Sequence, residues 1–244
     1  MLFRSNDTAT TEIYTLSLHD ALPISALASL DVASALIWVL LFFLIAGPVH
    51  ECAHAVAAWR LGDNTARADG RITLNPLVHF DPMGGSLLAI SVLFAGRGFG
   101  WAKPTPVNPY ALRGHHAESI VAAAGPLSNL VLAALFAIPF RILWANGVAP
   151  DNHSMVQMVQ LVCWQGIWLN VFLMIFNFIP IPPLDGAHVL FDFLDPRTSR
   201  DLQATLNQYG LLLLVGVILL GSQVIFPIER PIVSFLTGLP IQLV

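Results

Sequence analysis

Charge is what this chain has least of. Only 11% of its 244 residues are Asp, Glu, Lys or Arg, against about 25% in an ordinary soluble domain. A water-facing surface of normal extent cannot be covered with so few ionic groups. The 11 Lys and Arg residues form no basic cluster, and the net charge is −4. No nucleic-acid partner is therefore expected, since binding to phosphates needs concentrated positive charge. Cysteine is nearly missing as well. Cys52 and Cys163 could make at most one bridge, and none is expected. Neither an internal repeat nor an inserted soluble domain is visible. What remains is apolar: 56% hydrophobic residues and a mean hydropathy of +0.71. These values predict an all-α polytopic membrane protein, with the lipid bilayer as its surroundings.

Residues 1–25 depart from this pattern. The stretch MLFRSNDTATTEIYTLSLHDALPIS is mixed and polar, with no apolar core of signal-peptide length. It resembles translated adapter sequence and is expected to be non-native or disordered. His19 and Asp20 are then without function. Residues 26–244 are expected to form the single functional domain.

About five to six apolar segments follow. The first runs from about Ala28 to Trp59, and residues 32–49 contain one polar side chain, Ser34, and no charge. Pro48 lies inside it and is expected to kink the helix. Residues 60–83 are rich in turn residues and read as a loop, with His79 and Asp81 on its surface. Residues 85–96 are apolar but too short to span, which suggests a short re-entrant segment. Residues 97–110, with three prolines, read as an extended strand or hairpin near the interface, anchored by Trp101 and Lys103. Further spans are expected over 117–143 and about Met155–Ile179. An apolar stretch covers about Tyr209–Phe226, and a weakly apolar tail covers 231–244.

The chemistry concentrates at the end of the first segment, in His50-Glu51-Cys52-Ala53-His54. Titratable groups at such a position are rare and mark function by default. An α-helix turns about 100° per residue, so His50 and His54 lie about 40° apart, one turn from each other. Two imidazoles so placed can reach one ion, and this HExxH spacing is a zinc-binding pattern. Glu51 points about 100° away from His50, a position that suits a base for water at the ion better than a ligand. Cys52 faces elsewhere and reads as a packing residue.

A catalytic zinc takes three protein ligands and keeps a position open. Asp185 is the strongest third candidate. It follows Ile179-Pro180-Ile181-Pro182-Pro183-Leu184, where prolines break a span, and broken backbone at membrane depth lines cavities. The local sequence also allows Asp185 to cap the helix that follows Gly186. His188 is a rival ligand, and His115 and His116 are remoter ones.

Taken together, HExxH at the end of a first apolar helix, Gly125-Pro126-Leu127-Ser128-Asn129, and Asn177-x-x-Pro-x-Pro-Pro-Leu-Asp-Gly resemble the site-2 protease family of intramembrane zinc metallopeptidases. The loop LGDNTARADGRITLNPLVHFDPMG and the stretch GWAKPTPVNP resemble its compact branch, which lacks an appended peptide-binding domain. The likeness covers about residues 30–230. It implies one zinc ion per chain, held by His50, His54 and Asp185, with Glu51 as catalytic base. It also implies a polar role for Asn177 near the reacting carbonyl and a structural role for Gly125 and Asn129. The substrate implied is a membrane protein with a transmembrane segment.

Basic residues suggest an orientation. Arg60, Arg67, Arg71, Arg97, Lys103, Arg113, Arg197 and Arg200 would fall on one side, leaving Arg141, Arg230 and Arg4 opposite. The positive-inside rule puts the larger group in the cytoplasm. The expectation is thus a multi-pass protein of a prokaryotic cell membrane, with its active site near the cytoplasmic side. Two other classes are a metal-binding membrane scaffold without catalysis and a metal transporter. The intact Glu51 argues against the first, and the bare spans argue against the second. The sequence carries no sign of an oligomeric state.

Overall fold

The structure is a computed structural model that describes residues 32–95, 100–146 and 155–244. Residues 1–31 lie outside it, and with them the reading of the N-terminal segment. The described residues are helical, with no strand among them. Among the described residues, three helical stretches are long and apolar enough to cross a membrane: Ser34–Arg60, Ala117–Ala145 and Met155–Asn177.

The first stretch is not a simple kinked helix. Helix α1 (Val32–Leu41) passes into a π turn at Phe42–Ala46 and then into α2 (Gly47–Arg60). The Gly47 N–H bonds to Phe42 O, five residues back. The irregularity expected at Pro48 therefore lies one turn earlier. A proline lacks an N–H and crowds the carbonyl four residues before it, and one wide turn relieves that conflict without breaking the helix.

The loop after α2 contains two short helices, α3 (Thr65–Ala68) and α4 (Pro76–His79). His79 is only 1% exposed, which corrects its expected surface position. Its Nε2 pairs with Thr73 O. Asp81 accepts from the N–H groups of Met83 and Gly84 and so starts α5 (Pro82–Ala95). At 14 residues, α5 is about 21 Å long, too short to span. Residues 100–108 run without regular structure into a 3-10 turn at Pro109–Ala111, where a strand was expected; residues 97–99 lie outside the described set.

Helix α6 (Ala117–Ala145) is the centre of the fold: α2, α7 (Met155–Asn177) and α8 (Asp185–Asp192) all pack on it. Small residues make this close approach possible. Ala133 and Ala137 of α6 meet Ile167, Val171 and Cys163 of α7 in one core cluster, with Phe140 beside them. The last two expected segments form one helix, α9 (Pro196–Thr237). Asp195 caps it, accepting from the N–H groups of Arg197 and Thr198.

Candidate metal centre

The α2 spacing does what the sequence predicts: His50 and His54 turn their rings to one point, with Nε2 atoms 3.0 Å apart. Asp185 Oδ2 reaches the same point, 3.2 Å from His50 Nε2 and 3.4 Å from His54 Nε2. The three could hold one ion, their ligand atoms all lying within 4.8 Å of one another. Asp185 is the first residue of α8, but the cap position belongs to Leu184, so its carboxylate serves the cluster and not the helix end. The rival histidines lie elsewhere. His188 Nδ1 pairs with Glu118 Oε1 at 3.0 Å, and His116 Nδ1 with Asp192 Oδ2 at 3.0 Å. These two pairs join α8 to the start of α6. Cys52 lines an apolar cleft with Val49, Val56 and Ala124 and takes no part in the cluster.

Proton accounting shows what the cluster needs. His54 Nδ1 lies 2.8 Å from Val121 O. A backbone carbonyl only accepts, so Nδ1 carries the proton. His50 Nδ1 lies 2.6 Å from Asn129 Oδ1 and donates to it. In the neutral rings both Nε2 atoms are then bare lone pairs. The oxygen they face, Asp185 Oδ2, is buried and has no hydrogen-bond partner. Three acceptors converge with no proton between them, which is repulsive unless a cation is shared. Two nitrogens and one carboxylate oxygen, each of the His supported at its other nitrogen, suit a divalent zinc ion.

Glu51 lies on the neighbouring face of α2, held by the extended segment. The Thr105 N–H and the Thr105 hydroxyl both donate to Glu51 Oε2, and the hydroxyl also reaches Glu51 O. This segment is fixed in turn. Lys103 N–H bonds to His79 O. The Arg71 guanidinium, 4% exposed, donates to Val78 O, Lys103 O and Pro104 O. The Lys103 N–H and carbonyl, the Pro104 carbonyl and the Thr105 N–H are thus engaged inside the chain.

Two glycines allow the assembly. A Cβ on Gly125 would run into His54 Nε2 and lie 2.7 Å from His50 Cε1. A Cβ on Gly186 would strike the Phe178 carbonyl, so only glycine lets the start of α8 tuck against the preceding turn. Asn177 is not drawn into the cluster: its Nδ2 donates to Leu173 O at 3.0 Å, back along α7. Residue-by-residue reading missed Thr105, Arg71 and Asn170. Asn170 is a polar side chain inside an apolar span, a signal that could have marked it; Arg71 and Thr105 stand in loop sequence, where no such signal exists.

Such a fold and site define a class: a helical protein with helices long and apolar enough to cross a membrane, and a His–His–Asp cluster that could hold a metal ion, with a carboxylate beside it. The profile of peptidase family M50 matches residues 145–220, a range that contains Asp185. YwhC of Bacillus subtilis is 35% identical over 78% of this chain and 84% of its own length. Rip2 of Mycolicibacterium smegmatis is 35% identical over 70% of this chain and 62% of its own length, and Rip2 of Mycobacterium tuberculosis H37Rv 30% over 77% and 68%. The names of all three contain the words zinc metalloprotease. No solved structure matches the chain significantly. The chain belongs to peptidase family M50, the site-2 protease family.

Proposed function

We propose that this chain is a zinc endopeptidase that hydrolyses peptide bonds in or near the transmembrane segments of membrane proteins. The observation that carries the reading is the convergence of His50 Nε2, His54 Nε2 and Asp185 Oδ2 at the end of an apolar helix, with the Glu51 carboxylate one residue from the first of them. His50, His54 and Asp185 would hold one zinc ion. Zinc, when bound, supplies Lewis-acid activation of water and of the scissile carbonyl. Glu51 takes the proton of the attacking water and returns it to the leaving amine. Asn177 supports the developing negative charge on the carbonyl oxygen once its amide turns from Leu173 O. The substrate helix has to unwind first, because its carbonyls are bonded internally.

Residues 26–244 form the protease domain in this reading, crossing a cell membrane more than once. The excess of Arg and Lys around α3–α5 puts the site toward the cytoplasm. The test is cleavage of a transmembrane substrate in liposomes by purified, zinc-loaded protein. Cleavage that a chelator abolishes and zinc restores is expected. A zinc-loaded chain that leaves a panel of transmembrane substrates intact, while wild-type folding is verified, would remove the reading.

A further inference from the structure

Two asparagines sit in the apolar interface of α6 and α7, Asn129 at 0% and Asn170 at 1% exposure. A buried amide is costly unless every polar atom finds a partner, so the order of their bonds is informative. Asn170 Nδ2 donates to Gly166 O at 2.8 Å. Asn129 Nδ2 donates to Asn170 Oδ1 at 2.9 Å. Asn129 Oδ1 faces His50 Nδ1 at 2.6 Å.

The direction of this chain is forced from its far end. Gly166 O can only accept, so the NH₂ group of Asn170 must face it. That leaves the Asn170 oxygen toward Asn129, which must answer with its own NH₂. The Asn129 oxygen is then turned to His50, and His50 Nδ1 must carry the proton. Reversing either amide sets oxygen against oxygen or NH₂ against NH₂ in a dry interface. We propose that Asn170 is a positioning residue for the metal site, which through Asn129 locks His50 in the tautomer whose Nε2 lone pair is free for zinc. His54 needs no such relay, because its Nδ1 bonds directly to Val121 O. The inference rests on the metal-site reading above, and not on the identity of the substrate.

The test is the zinc Kd of purified protein in detergent, read by competition with a chromophoric chelator, so no cleavage is needed. Asn170→Leu keeps the number and branching of side-chain heavy atoms, removes both polar atoms and frees the Asn129 amide to rotate. Zinc affinity should fall at least about 10-fold, the usual effect of removing a group that orients a metal-bound histidine. Asn170→Asp should rescue it to within about 3-fold, because a neutral buried carboxylic acid can donate to Gly166 O and still accept from Asn129. The double variant Asn129→Leu/Asn170→Leu should be no weaker than Asn129→Leu alone, since Asn170 acts only through Asn129.

Unchanged affinity in Asn170→Leu, or losses that add in the double variant, would overturn the relay. Should Asn170→Leu fail to fold, the Asp variant decides alone: a loss of about 10-fold or more there overturns the proposal. A wild-type chain that takes up no zinc overturns both the site and the relay. Zinc uptake without proteolysis overturns the protease reading and leaves the relay standing.

Discussion

Thr105 closes over Glu51, giving its backbone N–H and its hydroxyl to the same carboxylate oxygen, Oε2, each at 2.8 Å. Two donors on one oxygen fix the carboxylate plane and leave proton exchange to the other oxygen. Thr105→Val keeps the shape and the N–H but removes the hydroxyl. Loss of one bond to a charged group is worth about 1.5 kcal/mol, so kcat is expected to fall about 10-fold, with KM and bound zinc unchanged. Thr105→Ser should restore the rate. Steady-state kinetics with zinc analysis checks both variants.

Arg71 should matter for stability first. Its guanidinium is nearly buried and holds three carbonyls of two separate segments. Arg71→Met leaves those carbonyls without donors, at a cost of about 3 kcal/mol. A lower thermal midpoint in detergent is the expected result, measured by loss of helical circular dichroism or by aggregation. An unchanged midpoint would mean that water replaces the guanidinium.

Glu51→Gln separates binding from chemistry. The amide keeps the size of the carboxylate but cannot take a proton. Zinc content should match wild type, while cleavage falls by about 10³-fold, within the usual range for a general base. Substantial residual turnover would remove Glu51 from that role.

Gly125→Ala should damage the metal centre without touching a ligand. The added methyl meets both imidazole rings, and neither can retreat while tied to Asn129 and Val121. Zinc affinity is expected to drop at least about 10-fold, in protein that still inserts into membranes. Chelator competition measures it.

The seam between α6 and α8 should be sensitive to acid. Burial alone would raise the Asp192 carboxyl, but bonds from Ser119 and His116 outweigh it and hold the group below its ordinary value of 3.8. A lowered folded value means stability that is present above pH 3.8 and lost as the pH falls through the lower folded value. Asp192→Asn should therefore be less stable than wild type at neutral pH by about 1 kcal/mol. The difference should close at strongly acid pH, where both seams are uncharged on this side. Thermal melts of the two proteins from strongly acid pH, below about 3, up to about pH 7, under conditions that keep them soluble, give the comparison.

Much of this protein could be read along the chain, for a definite reason. Apolar runs long enough to span, and histidines four apart on one helical turn, are properties of a segment and its neighbours within a turn. So the spans at 117–143 and 155–179, and the pairing of His50 with His54, follow from local periodicity and bilayer thickness. The proline-broken run before Asp185 marked that residue as the third candidate ligand by the same kind of argument. What local pattern could not supply is the identity of distant partners. Thr105 and Glu51 are 54 residues apart, and Asn129 lies 79 from His50 and 41 from Asn170. Nor could it supply the π turn at Phe42–Ala46, the burial of His79, or the fusion of two expected segments in α9. Those outcomes depend on which helices pack together. A buried polar atom must find its partner among whatever that packing brings near, and only the folded chain determines what is near.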